Sequence, residues 1–185
     1  MAEVAIERVH SYAAIERLRH ELSAMPSSWL ADIRDVKWVV YPDDLSPLFT
    51  GLLMHESFTH DGRNLSECGG WYSPADCWES GLKEEHIFLD HASTQSAIHE
   101  AAHALYYKWH VDMSDFYKDG ILAFGWYMAS NEREYFACAL DYFLRPGRDN
   151  TTWNGDDLAG VNPGLYSYLM VKLGAVDGKG KLAAD

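Results

Sequence analysis

The chain has 185 residues and a formal charge of −13, with 48% hydrophobic and 14% aromatic residues. This composition excludes a wholly disordered chain and suits a single globular domain, Met1–Asp185, that can build a core. The negative charge argues against nucleic acid and anionic membrane surfaces as partners, because both would repel the protein. It leaves the oligomeric state open.

The location of the protein is only partly constrained. Residues 1–10 carry charges at Glu3, Glu7 and Arg8 and lack an apolar run, so no signal peptide is expected. No stretch of about 20 apolar residues is present that could cross a membrane. The three cysteines, an odd number, are most simply free thiols in a reducing cytosol. We expect a cytoplasmic protein or one exported by a signal-independent route.

The first part of the chain is predicted to be mainly helical. Apolar residues at an approximate 3.6-residue period predict an amphipathic helix over residues 2–25, which Pro26 follows. A short helical piece is expected over residues 27–33. The β-branched and aromatic residues of 36–41 then predict a strand.

The middle of the chain is rich in glycine and is predicted to be mostly loop over residues 55–81. Within it, Gly70, Trp71 and Tyr72 predict a short edge strand. Residues 85–90 predict a buried strand. A helix that ends near His110 is then expected, because residues 97–109 contain neither Gly nor Pro, with Ser93 or Thr94 as its N-cap.

The last part is predicted to contain a helix over residues 131–144, a polar loop over 151–164 and a helix over 165–173. These elements predict an α+β fold whose catalytic core spans about residues 29–173. In this fold a short twisted sheet packs against helix 97–109 and helix 131–144.

The most informative segment is His99-Glu100-Ala101-Ala102-His103, a His-Glu-x-x-His motif within a predicted helix. Its four-residue spacing places both imidazoles on one helical face, one turn apart, so that both can bind a single ion. Glu100 lies beside that face and can act on a metal-bound water without being a ligand. The motif therefore predicts a zinc hydrolase, most often a peptidase, with Zn²⁺ as its cofactor.

A catalytic zinc needs a third protein ligand beside the two histidines, with the fourth position left for water. The predicted helix over 131–144 offers Glu132 and Glu134, which point to nearly opposite sides. Helical phase alone does not choose between them. Glu134 is equally explained by a capping box, in which Asn131 is the N-cap and Glu134 reaches back to its N–H.

The motif and the segment 127–137 together resemble gluzincin-type zinc metallopeptidases, specifically the anthrax lethal factor catalytic domain and the Pro-Pro endopeptidases. In that family a Glu-x-Glu-(Phe/Tyr)-Phe-Ala segment follows the first motif, and residues 132–137 match it. The resemblance implies a zincin-like domain in which Glu134 is the third ligand. It also implies that Tyr127 donates a hydrogen bond to the developing oxyanion. It covers about residues 29–146, with specific motifs at 98–106 and 127–140.

This chain departs from the family in two respects. Cys138 stands where the family often has an acidic residue, although Asp141 offers a substitute for supporting the metal. The separation between His103 and Glu134 is also shorter, and it approaches that of the repressor-cleaving proteases of phages and stress responses. Those enzymes form the alternative family, and residues 134–146 loosely match their pattern.

These observations lead us to expect a zinc-dependent endopeptidase with a protein or peptide substrate. Glu100 is the expected general base and Tyr127 the oxyanion donor. Gly70, Trp71 and Tyr72 are the expected substrate-binding residues, since an edge strand can pair with an extended peptide, although the glycine can equally form a turn. A non-catalytic zinc-containing binding module is the alternative from another class. The motif does not identify the substrate, nor whether the chain is a toxin or effector.

Overall fold

The computed structural model describes residues 6–9, 12–41, 68–76, 82–90, 93–114, 116–117, 131–144 and 155–174. These residues form both helices and strands, so the predicted α+β class is confirmed. The chain divides into two compact units, Met1–Trp109 and His110–Asp185. Within the described ranges, no helix has the length and hydrophobicity that a membrane crossing requires.

The first unit contains a four-stranded sheet with the order β1-β2-β4-β3. The strands are β1 (Ile6–Val9), β2 (Lys37–Tyr41), β3 (Gly70–Ser73) and β4 (His86–Asp90). β1, β2 and β4 are parallel, whereas β3 pairs antiparallel with β4 at the edge of the sheet. β2 and β4 bury their middle residues, as strands covered on both faces do. The strands predicted around residues 36–41, 70–72 and 85–90 are therefore confirmed.

The N-terminal helix predicted over residues 2–25 is wrong at its beginning. Residues Ile6–Val9 form β1, and the helix, α1, covers only Tyr12–Leu22. β1 pairs with β2 through Ile6 and Trp38, and its β-branched residues suit a strand. The pairing with β2, a strand distant in sequence, stabilises the extended conformation more than the local helical pattern stabilises a helix. The local periodicity contains no information on this pairing.

Two further helices complete the described part of this unit. α2 covers Ser27–Asp32, as predicted, and α3 covers Ala97–Lys108 and carries the His-Glu-x-x-His motif. A 3-10 turn, Thr94–Ser96, extends the helical path before α3, so that the N-cap is Ser96 and has no side-chain cap hydrogen bond. The predicted N-cap at Ser93 or Thr94 is therefore wrong.

α3 contacts β3 and β4 of the sheet and also α1 and α2. Its small and aliphatic side chains are fully buried: Ala97, Ile98, Ala101, Ala102, Ala104 and Leu105. At its C-terminal end the ring of Trp109 packs edge-on against Trp29, with centroids 5.2 Å apart, and its Nε1 donates to Asp32 at 2.7 Å. These contacts fix the helix that presents the motif.

The second unit contains α4 (Glu132–Leu144), α5 (Gly155–Val161) and α6 (Pro163–Leu173). α4 and α6 were expected, whereas α5 lies where a polar loop was predicted. Asn162, only 3% exposed, joins three segments of this unit. Its Nδ2 donates to the carbonyl of Phe116 and to the hydroxyl of Tyr135, and its Oδ1 accepts the N–H of Leu165.

Candidate metal centre

The two histidines of the motif converge as their spacing predicts. His99 and His103 lie one turn apart on α3, both half-buried, and their Nε2 atoms are 3.2 Å from each other. The rings stand almost perpendicular, at 85°, with centroids 4.8 Å apart. Both Nε2 atoms, rather than one Nε2 and one Nδ1, therefore face the same point.

This separation can be compared with the geometry of a zinc site. Two nitrogens that each lie about 2.0–2.1 Å from a tetrahedral zinc are about 3.3–3.4 Å apart. The observed separation between Nε2 of His99 and Nε2 of His103, 3.2 Å, is close to this value. The pair is arranged as two ligands of one small cation.

The third ligand that the family resemblance implies, Glu134, belongs to the second unit. Glu134 is in the first turn of α4 and is only 9% exposed, whereas Glu132 is exposed. Burial thus distinguishes the two carboxylates, which helical phase alone left equivalent.

The chemistry of these side chains suits zinc. Imidazole nitrogens are common zinc ligands, and two of them with one carboxylate form a three-ligand set that occurs in catalytic zinc sites, where the fourth position remains for water or substrate.

Glu100 lies in the first turn of α3 and is only 6% exposed. The positive end of the helix dipole favours a negative charge at such a position. Its side chain packs against the backbone of β3: a Cβ at position 70 would be 2.7 Å from both Cγ and Oε1 of Glu100. The predicted general base is thus held between its own helix and the edge strand.

The three predicted substrate-binding residues have different surroundings on β3. Gly70 touches Glu100, as described above. The ring of Trp71 stacks on Phe88, with centroids 5.5 Å apart. Tyr72 is buried, and its hydroxyl donates to Glu85 at 3.1 Å.

Glu85 is a residue that the sequence analysis did not single out. Its second oxygen pairs with Lys108 in the last turn of α3, at 2.7 Å, and its side chain is 16% exposed. Tyr72, Glu85 and Lys108 together tie the edge strand to the C-terminal end of the motif helix. No motif marks this arrangement, because it depends on which residues the sheet brings together.

Two other predicted features complete the description. Tyr127, the expected oxyanion donor, lies outside the described residues. Cys138, one turn after Glu134 on α4, is only 8% exposed. Burial raises the pKa of the neighbouring Tyr142 phenol, and Cys138 and Asp141 raise that pKa further.

No protein-family model and no curated protein matches this chain. The resemblance to lethal factor and the Pro-Pro endopeptidases therefore remains a prediction that rests on the segments 99–103 and 127–137.

Proposed function

We propose that this protein is a zinc-dependent endopeptidase. The observation that carries the proposal is the pair formed by His99 and His103, whose Nε2 atoms are 3.2 Å apart, together with the buried carboxylate of Glu100 next to His99 in the sequence. Glu134 is the third ligand that we propose from the family resemblance. Metal ligands alone would support any zinc protein. The additional acid beside them is what a hydrolase needs to remove a proton from water.

The three ligands would hold the ion, each through one atom. When bound, zinc supplies Lewis acidity, which lowers the pKa of a water ligand to about 7 and polarises a substrate carbonyl. The imidazoles must be neutral and the carboxylate ionised in order to bind, so the affinity for zinc falls in acid.

Glu100 would accept the proton of the attacking water and pass it to the leaving amine. Its burial against β3 supports this role, because a general base must be held within hydrogen-bond reach of the proton that it takes. For Tyr127 we propose, from the family resemblance, a hydrogen bond to the oxyanion that develops during attack.

A peptide is the substrate that the position of β3 supports best. β3 is the last strand of the sheet formed by the described residues, and it contacts Glu100 through Gly70. An extended peptide that pairs with such a strand brings its backbone, rather than one particular side chain, next to the base. Bound in this way, a peptide carbonyl is the group available for hydrolysis.

The proposal is tested with a mixture of synthetic peptides incubated with the zinc-loaded protein and analysed by mass spectrometry. We expect cleavage that a chelator abolishes and that added zinc restores. Glu100→Gln should lose cleavage and keep its zinc and its fold, whereas the exposed Glu16→Gln on α1 should cleave like the wild type.

The cleavage pattern also separates the alternatives. A preference for proline around the cleaved bond would indicate a relation to the Pro-Pro endopeptidases. Cleavage of folded repressor proteins but not of free peptides would favour the repressor-cleaving family. Zinc bound at full occupancy without any cleavage would contradict an endopeptidase and favour a binding module.

A further inference from the structure

We propose that Gly70 is a positioning residue for Glu100: the absence of a side chain at position 70 lets β3 hold the carboxylate in place. The inference rests on the proposed function, because it assigns to Glu100 the role of general base. It goes beyond the expectation that Gly70 touches substrate, since it gives this glycine a role within the protein itself.

The contact is close on both ends of the Glu100 side chain. A Cβ at position 70 would lie 2.7 Å from Cγ, 2.7 Å from Oε1 and 3.0 Å from Cδ of Glu100. Oε1 could turn away by rotation about the last bond. Cγ could not, because moving it requires a change of the whole side-chain conformation of a residue that is only 6% exposed.

The backbone conformation does not explain why position 70 is glycine. Among the described glycines, only Gly174 has a positive φ, so Gly70 has a conformation that other residues adopt readily. In register with Leu89, Gly70 occupies a regular position in the antiparallel ladder. A glycine inside a strand often marks the close approach of another group. Here that group is Glu100.

Two other glycines provide matched comparisons. A Cβ at Gly69, the preceding residue, would collide with Cβ and Oγ of Ser93 and not with Glu100. A Cβ at Gly160, in α5, would meet nothing within 4 Å. The same substitution, Gly→Ala, therefore introduces a contact with Glu100 at position 70, a contact with Ser93 at position 69, and no contact at position 160.

The first experiment measures kinetics with a peptide substrate chosen from the cleavage screen. Gly70→Ala displaces Glu100, and a displacement of about 1 Å can reduce turnover by about 10²-fold. We expect this loss in kcat, with zinc content and KM at wild-type values, whereas Gly160→Ala should leave kcat unchanged. A loss confined to KM would overturn the inference and indicate instead that position 70 contacts the substrate.

The second experiment is a double-mutant cycle read by thermal unfolding, which needs no activity. Overpacking by one methyl group should lower the Tm of Gly70→Ala by about 5 °C. In the Glu100→Ala background Cγ, Cδ and Oε1 are absent, so most of this loss should disappear. Gly69→Ala should have the same effect in both backgrounds.

The outcomes separate the two proposals. Equal effects of Gly70→Ala on the Tm with and without the Glu100 side chain would overturn the positioning role. Failure of Gly70→Ala to fold in both backgrounds would overturn it as well. Folding of Gly70→Ala only in the Glu100→Ala background would support it. A strong coupling in a protein that cleaves no peptide would retain the contact and reject the endopeptidase.

Discussion

The side-chain oxygen of Asn131 accepts the backbone N–H of Glu134 at 3.0 Å, and it also accepts the N–H of Arg133. Asn131 therefore caps α4, as in the first half of the capping box that the sequence offered as an alternative role for Glu134. These bonds engage the main chain of Glu134, so the cap and a ligand role for its carboxylate do not exclude each other. The cap instead fixes the turn from which the carboxylate is presented.

Replacing Glu134 should empty the metal centre. Glu134→Ala removes one of the three proposed ligands, and we expect zinc content after dialysis to fall well below stoichiometric, with the α-helical circular dichroism retained. Glu132→Ala, two residues away on the exposed side of α4, is the control and should keep its zinc. The reverse result, an empty site only in Glu132→Ala, would show that the ligand assignment is wrong.

Replacing Tyr127 should slow hydrolysis without releasing the metal. Tyr127→Phe removes only the hydroxyl, and loss of one hydrogen bond to an oxyanion typically reduces turnover by about 10²–10³-fold. Turnover and zinc content are measured on the same preparation. Unchanged turnover would remove Tyr127 from the mechanism and weaken the resemblance to lethal factor.

Replacing Asn162 should destabilise the protein. Asn162→Ala loses two donated hydrogen bonds and the cap of α6, and it leaves buried partners unsatisfied, at about 1–3 kcal/mol each. We expect the free energy of unfolding in urea to fall by about 3 kcal/mol. Asn162→Asp, which keeps the capping oxygen, separates the cap from the donated bonds. A loss below about 0.5 kcal/mol, ordinary for a surface position, would contradict the connecting role.

Replacing His110 by glycine should stabilise the protein. His110 is exposed and has a φ of 49°, just after the end of α3, whereas α6 ends in a glycine, Gly174, with a φ of 77°. A left-handed conformation costs a residue with a Cβ about 1–2 kcal/mol, partly offset by the greater freedom of glycine in the unfolded chain. We expect a gain of about 0.5–1 kcal/mol for His110→Gly. His110→Ala, which keeps a Cβ, should give no such gain.

The elements that the sequence predicts well are those whose pattern is reinforced by packing. In α3 the run without Gly or Pro coincides with a buried small-residue face, and in β4 the apolar run coincides with burial on both sides. Local preference and tertiary contacts agree there, so the pattern is sufficient.

The errors lie where a partner distant in sequence decides the structure. β1 forms because it pairs with β2, and the sequence of residues 1–25 contains no information on that pairing. α5 forms in a polar segment that packs against α4 and α6, whereas its sequence alone predicts a loop.

The candidate site also contains features that the local sequence predicts and features that depend on contacts distant in sequence. The convergence of His99 and His103 follows from helical geometry and could be predicted from spacing alone. Spacing alone does not distinguish Glu134 from Glu132, and their difference in burial becomes visible only in the fold. The contact between Gly70 and Glu100 required the register of β3, although a glycine in a predicted strand was a signal that could have pointed to it.

The topology of the sheet has a consequence for the order of folding. The antiparallel pairing of β3 with β4 closes a short loop, and α3 follows shortly after β4. The parallel pairing of β2 with β4 joins Lys37 to His86 and must close a far longer loop, at a greater entropic cost. We therefore expect α3, which carries both imidazoles, and β3, which contacts the carboxylate of Glu100, to assemble early, before the N-terminal strands dock.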